Sequence, residues 1–224
     1  MHVTALEGHR NWAPIYDEGP NPLLALETRI LLDRLHPLSG SRFIDIACGT
    51  GRWMALVQRS AAQVLGVDFC PEMLREAQRK PGLAGCLSVA DACRLPIGDG
   101  AADLTLCSFA LGYLATPGDA IAEMARVSRR GGRVIVSDMH PRALAAGWTR
   151  SFRSKGQSYE IDHHHHPIAA LEAAAESAGL SLEWRVEASF GEPEREIFRR
   201  AGKNSSFPLL SRIPALLVMS WIKP

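Results

Sequence analysis

The seven residues Asp45-Ile46-Ala47-Cys48-Gly49-Thr50-Gly51 constrain the fold of this chain more than any other segment. They close a short apolar run that starts at Phe43 and lead into residues 52–59, where apolar side chains recur at helical spacing. An acid near the end of a strand, followed by two glycines in the turn that enters a helix, makes a strand–turn–helix unit suited to cradling a nucleoside. The glycines let the backbone turn tightly and approach a ligand with no Cβ in the way, and the first N–H groups of the helix stay free.

The same alternation runs along the rest of the chain. Asn21 and Pro22 make an N-cap and first-turn pair, and Leu23, Leu26, Ile30 and Leu31 follow at helical spacing. Residues 64–67 predict a second strand, 71–80 a helix with Pro71 in its first turn, and 87–89 a third short strand. Residues 102–109 read as a buried parallel strand and 119–127 as a helix closed by Arg129-Arg130-Gly131-Gly132; 133–137 read as a further strand. The pattern then fails until the alanine-rich helix 168–178, stopped by Gly179, with strands expected at 180–188 and 215–221. Strands alternating with helices imply an α/β fold: a mostly parallel sheet covered on both faces, with ligands at the carboxyl ends of its strands.

Composition narrows the function. A chain of 224 residues, 46% hydrophobic and 22% charged, suits a single domain with its own core. A formal net charge of +1, with no basic block, argues against nucleic acid and for a small-molecule partner. The five cysteines are odd in number and lack C-x-x-C spacing, so reduced thiols are expected and no metal site. No cationic and apolar leader opens the sequence and no run is apolar enough to span a bilayer; a cytoplasmic protein without membrane contact is expected. The four histidines His163 to His166 lack the partner spacing of a metal site. Oligomeric state is not legible.

A dinucleotide fingerprint G-x-G-x-x-G would need glycine at position 54, where this chain has Met54, and the nicotinamide reading weakens. By contrast D-x-x-C-G-T-G resembles the first motif of the class I S-adenosylmethionine-dependent methyltransferases, and the resemblance extends from Phe43 to about Asp138. Asp68, ending the run LGVD, stands where that family's acid binds both ribose hydroxyls; a carboxylate can accept two bonds from a vicinal diol. Asp91 and Ala92 resemble the acid and small residue beside the adenine amino group, and 103–109 and 126–133 resemble the fourth strand and the approach to the fifth. One departure is Ala47, where the family often has glycine.

The resemblance implies a Rossmann-like three-layer sandwich with a mostly parallel seven-stranded sheet, and S-adenosyl-L-methionine as cofactor. Asp45, Ala47, Cys48, Gly49, Gly51, Asp68, Asp91, Ala92 and Phe109 would form its site. The expected activity is methyl transfer to an O, N or S atom of a small metabolite or natural-product intermediate. The alternative is a non-catalytic S-adenosylmethionine-binding regulatory or partner subunit, which product formation would separate. Transfer from a sulfonium mainly requires alignment of a nucleophile and exclusion of water, so any general base must come from the strand ends. His140, after the fifth strand, is the leading candidate, with Tyr113 beyond the fourth. Residues 1–38 are expected to form an N-terminal helical lid carrying Tyr16. An insert at 141–167 is expected to cover the acceptor pocket, its Arg142, Trp148, Arg150 and Arg153 receiving an acceptor that includes anionic ones.

Overall fold

The structure is a computed structural model and describes residues 1–35 and 37–224. The strands are β1 (His2–Val3), β2 (Arg42–Ile46), β3 (Gln63–Asp68), β4 (Leu87–Val89), β5 (Ala102–Ser108), β6 (Ser128–Met139), β7 (Arg150–Ser154), β8 (Gln157–Ile161), β9 (Ser181–Ala188) and β10 (Leu216–Ile222). The helices are α1 (Ala5–Trp12), α2 (Pro22–Leu31), α3 (Arg52–Val57), α4 (Pro71–Gln78), α5 (Pro117–Val127), α6 (Pro141–Ala145), α7 (Ile168–Ser177), α8 (Glu192–Arg200) and α9 (Phe207–Leu210).

The main sheet has seven strands in the order β4-β3-β2-β5-β6-β10-β9. Pairing is parallel from β4 through β6, whereas β10 runs antiparallel to both β6 and β9. The strand order reverses between β2 and β5, which opens a crevice at their carboxyl ends, the place where doubly wound sheets receive ligands. The expected seven-stranded, mostly parallel α/β sandwich is the architecture observed.

Both faces are covered because the central strands are apolar on both sides. On one face Leu26 and Leu31 of α2, Trp53, Met54 and Val57 of α3 and Phe198 of α8 pack against Phe43, Leu104 and Val218. On the other, Ile121 and Met124 of α5 and Leu171 and Ala175 of α7 pack against Ile44, Val136 and Met219. Gly66 on β3 explains how Met54 replaces a third glycine: a Cβ there would collide with the Met54 sulfur and lie 2.8 Å from Cys48 Sγ. The close helix–strand approach is made by removing the side chain from the strand instead of the helix.

Where periodicity failed, residues 141–167 form α6 and the hairpin β7–β8, turned at Lys155-Gly156 with φ of +49° and +78°. Two successive left-handed residues give the twist that a tight hairpin needs. Strand β1 adds in parallel to β8, making a small three-stranded sheet that supports α1. Among the described residues, no helix is long and apolar enough to cross a membrane.

Candidate active site

The carboxyl ends of β2, β3, β4 and β5 meet α1 around a cavity of about 420 Å3. Ala47 and Gly49 come from the first turn, Asp68 from the end of β3, Asp91 and Ala92 from just beyond β4, and Phe109 and Tyr113 from beyond β5. The opposite wall is Thr4, Ala5, Leu6 and His9 of the N-terminal segment, with Tyr16 from the turn that follows it.

The glycine turn is shaped by conformation. Gly49 and Gly51 have φ of +55° and +73°, a region that disfavours a Cβ. A Cβ on Gly49 would meet nothing within 4 Å, so this residue faces open space, whereas one on Gly51 would lie 2.7 Å from Leu83. Ala47 (φ +55°) and Phe109 (φ +52°) adopt the same left-handed region without being glycine, and both stand on the cavity wall. Backbone strain of this kind gathers where a ligand must be approached.

Asp68 is buried and its two carboxylate oxygens accept the backbone N–H groups of Gly49 and Cys70, each at 2.8 Å. It therefore ties the glycine turn to the start of α4 and still presents lone pairs to the cavity. Burial pushes its carboxyl pKa up, against those two N–H bonds and the nearby His9. Asp91 is exposed on the cavity wall and accepts from the N–H of Cys93 at 2.9 Å.

Asp45, Cys48 and Gly51 lie behind this wall. The Asp45 carboxyl is 1% exposed and its Oδ1 has no hydrogen-bond partner among the described residues; burial pushes its pKa up to about 8, with the charges of Glu27 and Asp68 adding and Arg52 opposing. The separate carboxyl groups of Asp68 and Asp91, which face the cavity from the ends of β3 and β4 beside the Gly49 turn, fit a nucleoside. Cys48 packs its sulfur toward Gly66, and burial raises its thiol pKa well above the ordinary value.

Tyr113 and Tyr16 both line the cavity as expected. Burial pushes both phenols above their ordinary pKa. The remaining expected residues stand elsewhere. His140 is 1% exposed and caps α6, its Nδ1 accepting from Arg142 N–H at 3.0 Å and its Nε2 lying 3.0 Å from Glu187 Oε2. With both ring nitrogens engaged and no place on the cavity wall, His140 is a cap. Arg150 is buried against Asp138 with its guanidinium 4.6 Å from the centre of the Tyr113 ring. Trp148 stacks on Phe190 at 5.7 Å, and Arg142 and Arg153 are exposed. None of these four lines the cavity. The insert instead packs behind α1, with Phe152 stacked on Trp12 at 4.8 Å.

Two residues absent from the sequence reading organise the site. Glu27 of α2 is fully buried and gathers Arg52, Trp53 Nε1–H at 3.1 Å, Ser108 Oγ–H at 2.7 Å and Ser137 Oγ–H. It joins α2 to the ends of β5 and β6. His9 of α1 lines the cavity, its Nδ1 2.7 Å from the carbonyl oxygen of Ala5 and its ring edge-on to Tyr113 at 4.8 Å. The available signal was its position three residues after Leu6, on the same helix face. Asp17 ties the N-terminal segment to the glycine turn, accepting from Thr50 Oγ1–H at 2.9 Å and pairing with Lys80 Nζ at 2.7 Å.

Comparison with known proteins agrees with this geometry. Residues 44–136 match a family model described as a methyltransferase domain. The chain is 37% identical over 111 residues to a demethylmenaquinone methyltransferase of Beutenbergia cavernae, covering 49% of this chain and 45% of that one. It is 38% identical over 105 residues to one of Thermus thermophilus, covering 45% and 48%. The chain thus spans about half the length of the curated relatives it matches. In fold it resembles an S-adenosylmethionine-dependent methyltransferase from Mesorhizobium loti, with a TM-score of 0.70 and 22% identity over 90% of this chain and 100% of that one. It also resembles a geranyl diphosphate C-methyltransferase from Streptomyces coelicolor solved with Mg2+, geranyl diphosphate and S-adenosyl-L-homocysteine, with a TM-score of 0.65 and 16% identity over 89% and 77%. The resemblance to class I methyltransferases read from the sequence is borne out by the matched segment and by the fold.

Proposed function

We propose that this chain, whose residues 44–136 form a methyltransferase domain, binds S-adenosyl-L-methionine in the cavity and transfers its methyl group to an O, N or S atom of a small metabolite. The observation that carries the reading is the convergence of the Gly49 turn, Asp68 and Asp91 on one cavity, in the order along the sheet that a nucleoside requires. Asp68 would accept from the ribose hydroxyls and Asp91 from the adenine amino group, while Ala47 and Gly49 allow the backbone close to the methionine end. Bound, the cofactor supplies a methyl carbon activated by a sulfonium.

The rest of the chemistry falls to the protein. Tyr16, Tyr113 and the α1 residues would orient the acceptor and exclude water, which strengthens every polar contact inside. Leu6, Met73, Phe109, Ala110 and Leu114 make this wall largely apolar, and among the described residues no lysine or arginine lines it. This favours a neutral, aromatic acceptor bearing a hydroxyl over an anionic one. The name demethylmenaquinone methyltransferase, carried by the matched relatives, supports a small molecule as acceptor. The five free thiols are in keeping with a cytoplasmic protein.

The test is to incubate the protein with S-adenosylmethionine and a panel of small phenols, and to follow S-adenosylhomocysteine release and methylated product by mass spectrometry. Product with at least one phenol supports the reading; cofactor binding without any product would reduce it to a binding protein.

A further inference from the structure

We infer that His9 Nε2 is the proton acceptor for the acceptor's hydroxyl in this cavity, which makes His9 a catalytic residue of the proposed reaction. The inference rests on the methyl-transfer reading above and deepens it. A carbonyl oxygen only accepts, so the 2.7 Å contact from Nδ1 to the Ala5 carbonyl places a hydrogen on Nδ1, and the neutral ring is then the Nδ1–H tautomer. In the neutral ring Nε2 then carries a lone pair, and the hydrogen bond that the ring makes among the described residues is through Nδ1, not Nε2. The ring stands on the cavity wall, and no other described histidine does.

The position is held from behind. A Cβ on Gly8 would lie 2.7 Å from Ile161, so this residue lets α1 press directly on β8, while Trp12 stacks on Phe152 and Phe152 on Tyr159. Tyr113 meets the His9 ring edge-on and is itself covered by Arg150. The groups facing the imidazole are Asp68 from β3, Arg150 from β7 and the Tyr113 phenol. Burial, helped by the Arg150 charge, outweighs the Ala5 hydrogen bond and the Asp68 charge and lowers the pKa of His9, which favours the neutral ring that can accept a proton.

In the step itself, the acceptor oxygen forms a bond to the methyl carbon as the carbon–sulfur bond breaks, its electron pair remaining on sulfur. The hydroxyl proton passes to Nε2 and leaves to water after product release. No further reactant is needed.

The experiment pairs nitrogen-15 NMR of the ring with a phenolic probe, 2-naphthol, and uses His9→Asn. Asparagine keeps an N–H able to bond Ala5 and removes Nε2. In the cofactor-free wild type, a neutral ring with its hydrogen on Nδ1 at pH 7 is expected; a hydrogen on Nε2, or a doubly protonated ring, overturns the inference whatever the acceptor. In protein loaded with S-adenosylhomocysteine, 2-naphthol should shift the Nε2 resonance. With S-adenosylmethionine its methylation should fall about 100-fold or more in His9→Asn, chiefly in kcat, with loss of the acidic limb of the pH profile. Methylation that proceeds equally in wild type and His9→Asn overturns the inference alone. Unchanged affinity of His9→Asn for S-adenosylhomocysteine is expected and shows the variant to be folded. No binding of 2-naphthol by loaded wild type contradicts the aromatic-hydroxyl reading of the acceptor, and the tautomer then decides His9 by itself.

Discussion

Arg150 donates through Nη2 to Asp138 Oδ1 in a buried ion pair that fastens the β7–β8 hairpin to the end of β6. Asp138 also accepts from the N–H groups of Gly112 and Met139, each at 2.7 Å, so its charge is fully engaged. The guanidinium that completes the pair lies over Tyr113, a wall of the cavity. Removing it by Arg150→Ala leaves a buried carboxylate without its cation, which should cost about 3–5 kcal/mol of stability. Urea denaturation measures this; a loss under about 1 kcal/mol would mean that the pair is solvated in solution.

Glu27 carries a comparable load on the other side of the site. Arg52, the Trp53 indole N–H and the hydroxyls of Ser108 and Ser137 all point to one carboxylate. Glu27→Ala should destabilise by about 3–5 kcal/mol, since it strands a cation and three donors together. The same variant should bind S-adenosylhomocysteine more weakly, because Ser108 is also on the cavity wall. Denaturation and calorimetry on one preparation check both outcomes.

The raised carboxyl of Asp45 predicts a pH dependence of stability with a definite sign. Its folded pKa of about 8 lies above its ordinary value of 3.8, so between these the folded state binds more protons than the unfolded one. Stability from this group is therefore present below the lower value and lost as pH rises toward the upper one. Asp45→Asn, which cannot ionise, should flatten the fall in melting temperature expected of the wild type between about pH 5 and 8, within the window set by the two pKa values. An equal slope in the two proteins would show that Asp45 is ionised in the folded state.

Ala47 occupies the left-handed region in the first turn with a side chain that opposes it. Ala47→Gly should relieve that strain and raise stability by about 0.5–1 kcal/mol, the gain being partly offset by the greater freedom of glycine when unfolded. Gly51→Ala should do the reverse and more strongly, as its φ is also positive and Leu83 blocks the Cβ. Thermal unfolding of the two variants orders them against wild type.

The sheet was legible because its central strands are mostly apolar runs buried on both faces, and the observed β4 coincides with the expected 87–89. The hairpin 150–161 was not, since one of the two buried side chains of β7 is the charged Arg150 and β8 shows no alternation of exposed and buried residues. Helix α8 escaped for a similar reason: Glu192–Arg200 is almost wholly charged and shows the core only Phe198 and the buried Glu194, which pairs with Arg29 at 2.8 Å. The cofactor-facing half of the site lies in one strand–turn–helix motif and two strand ends, where local sequence dictates position. The acceptor-facing half depends on how the N-terminal helix docks, a contact between residues more than a hundred positions apart, such as Gly8 and Ile161. That is why His140, local to a strand end, suggested itself, and His9 did not.

The most direct test of the cofactor site is calorimetric titration of the purified protein with S-adenosylhomocysteine, with NAD as the competing nucleotide, repeated on Asp91→Ala. Saturable binding of S-adenosylhomocysteine, no binding of NAD and a loss of about 10-fold in affinity on removing one charged acceptor are the expected results. No binding of S-adenosylhomocysteine, or preference for NAD, would contradict the assignment of this cavity.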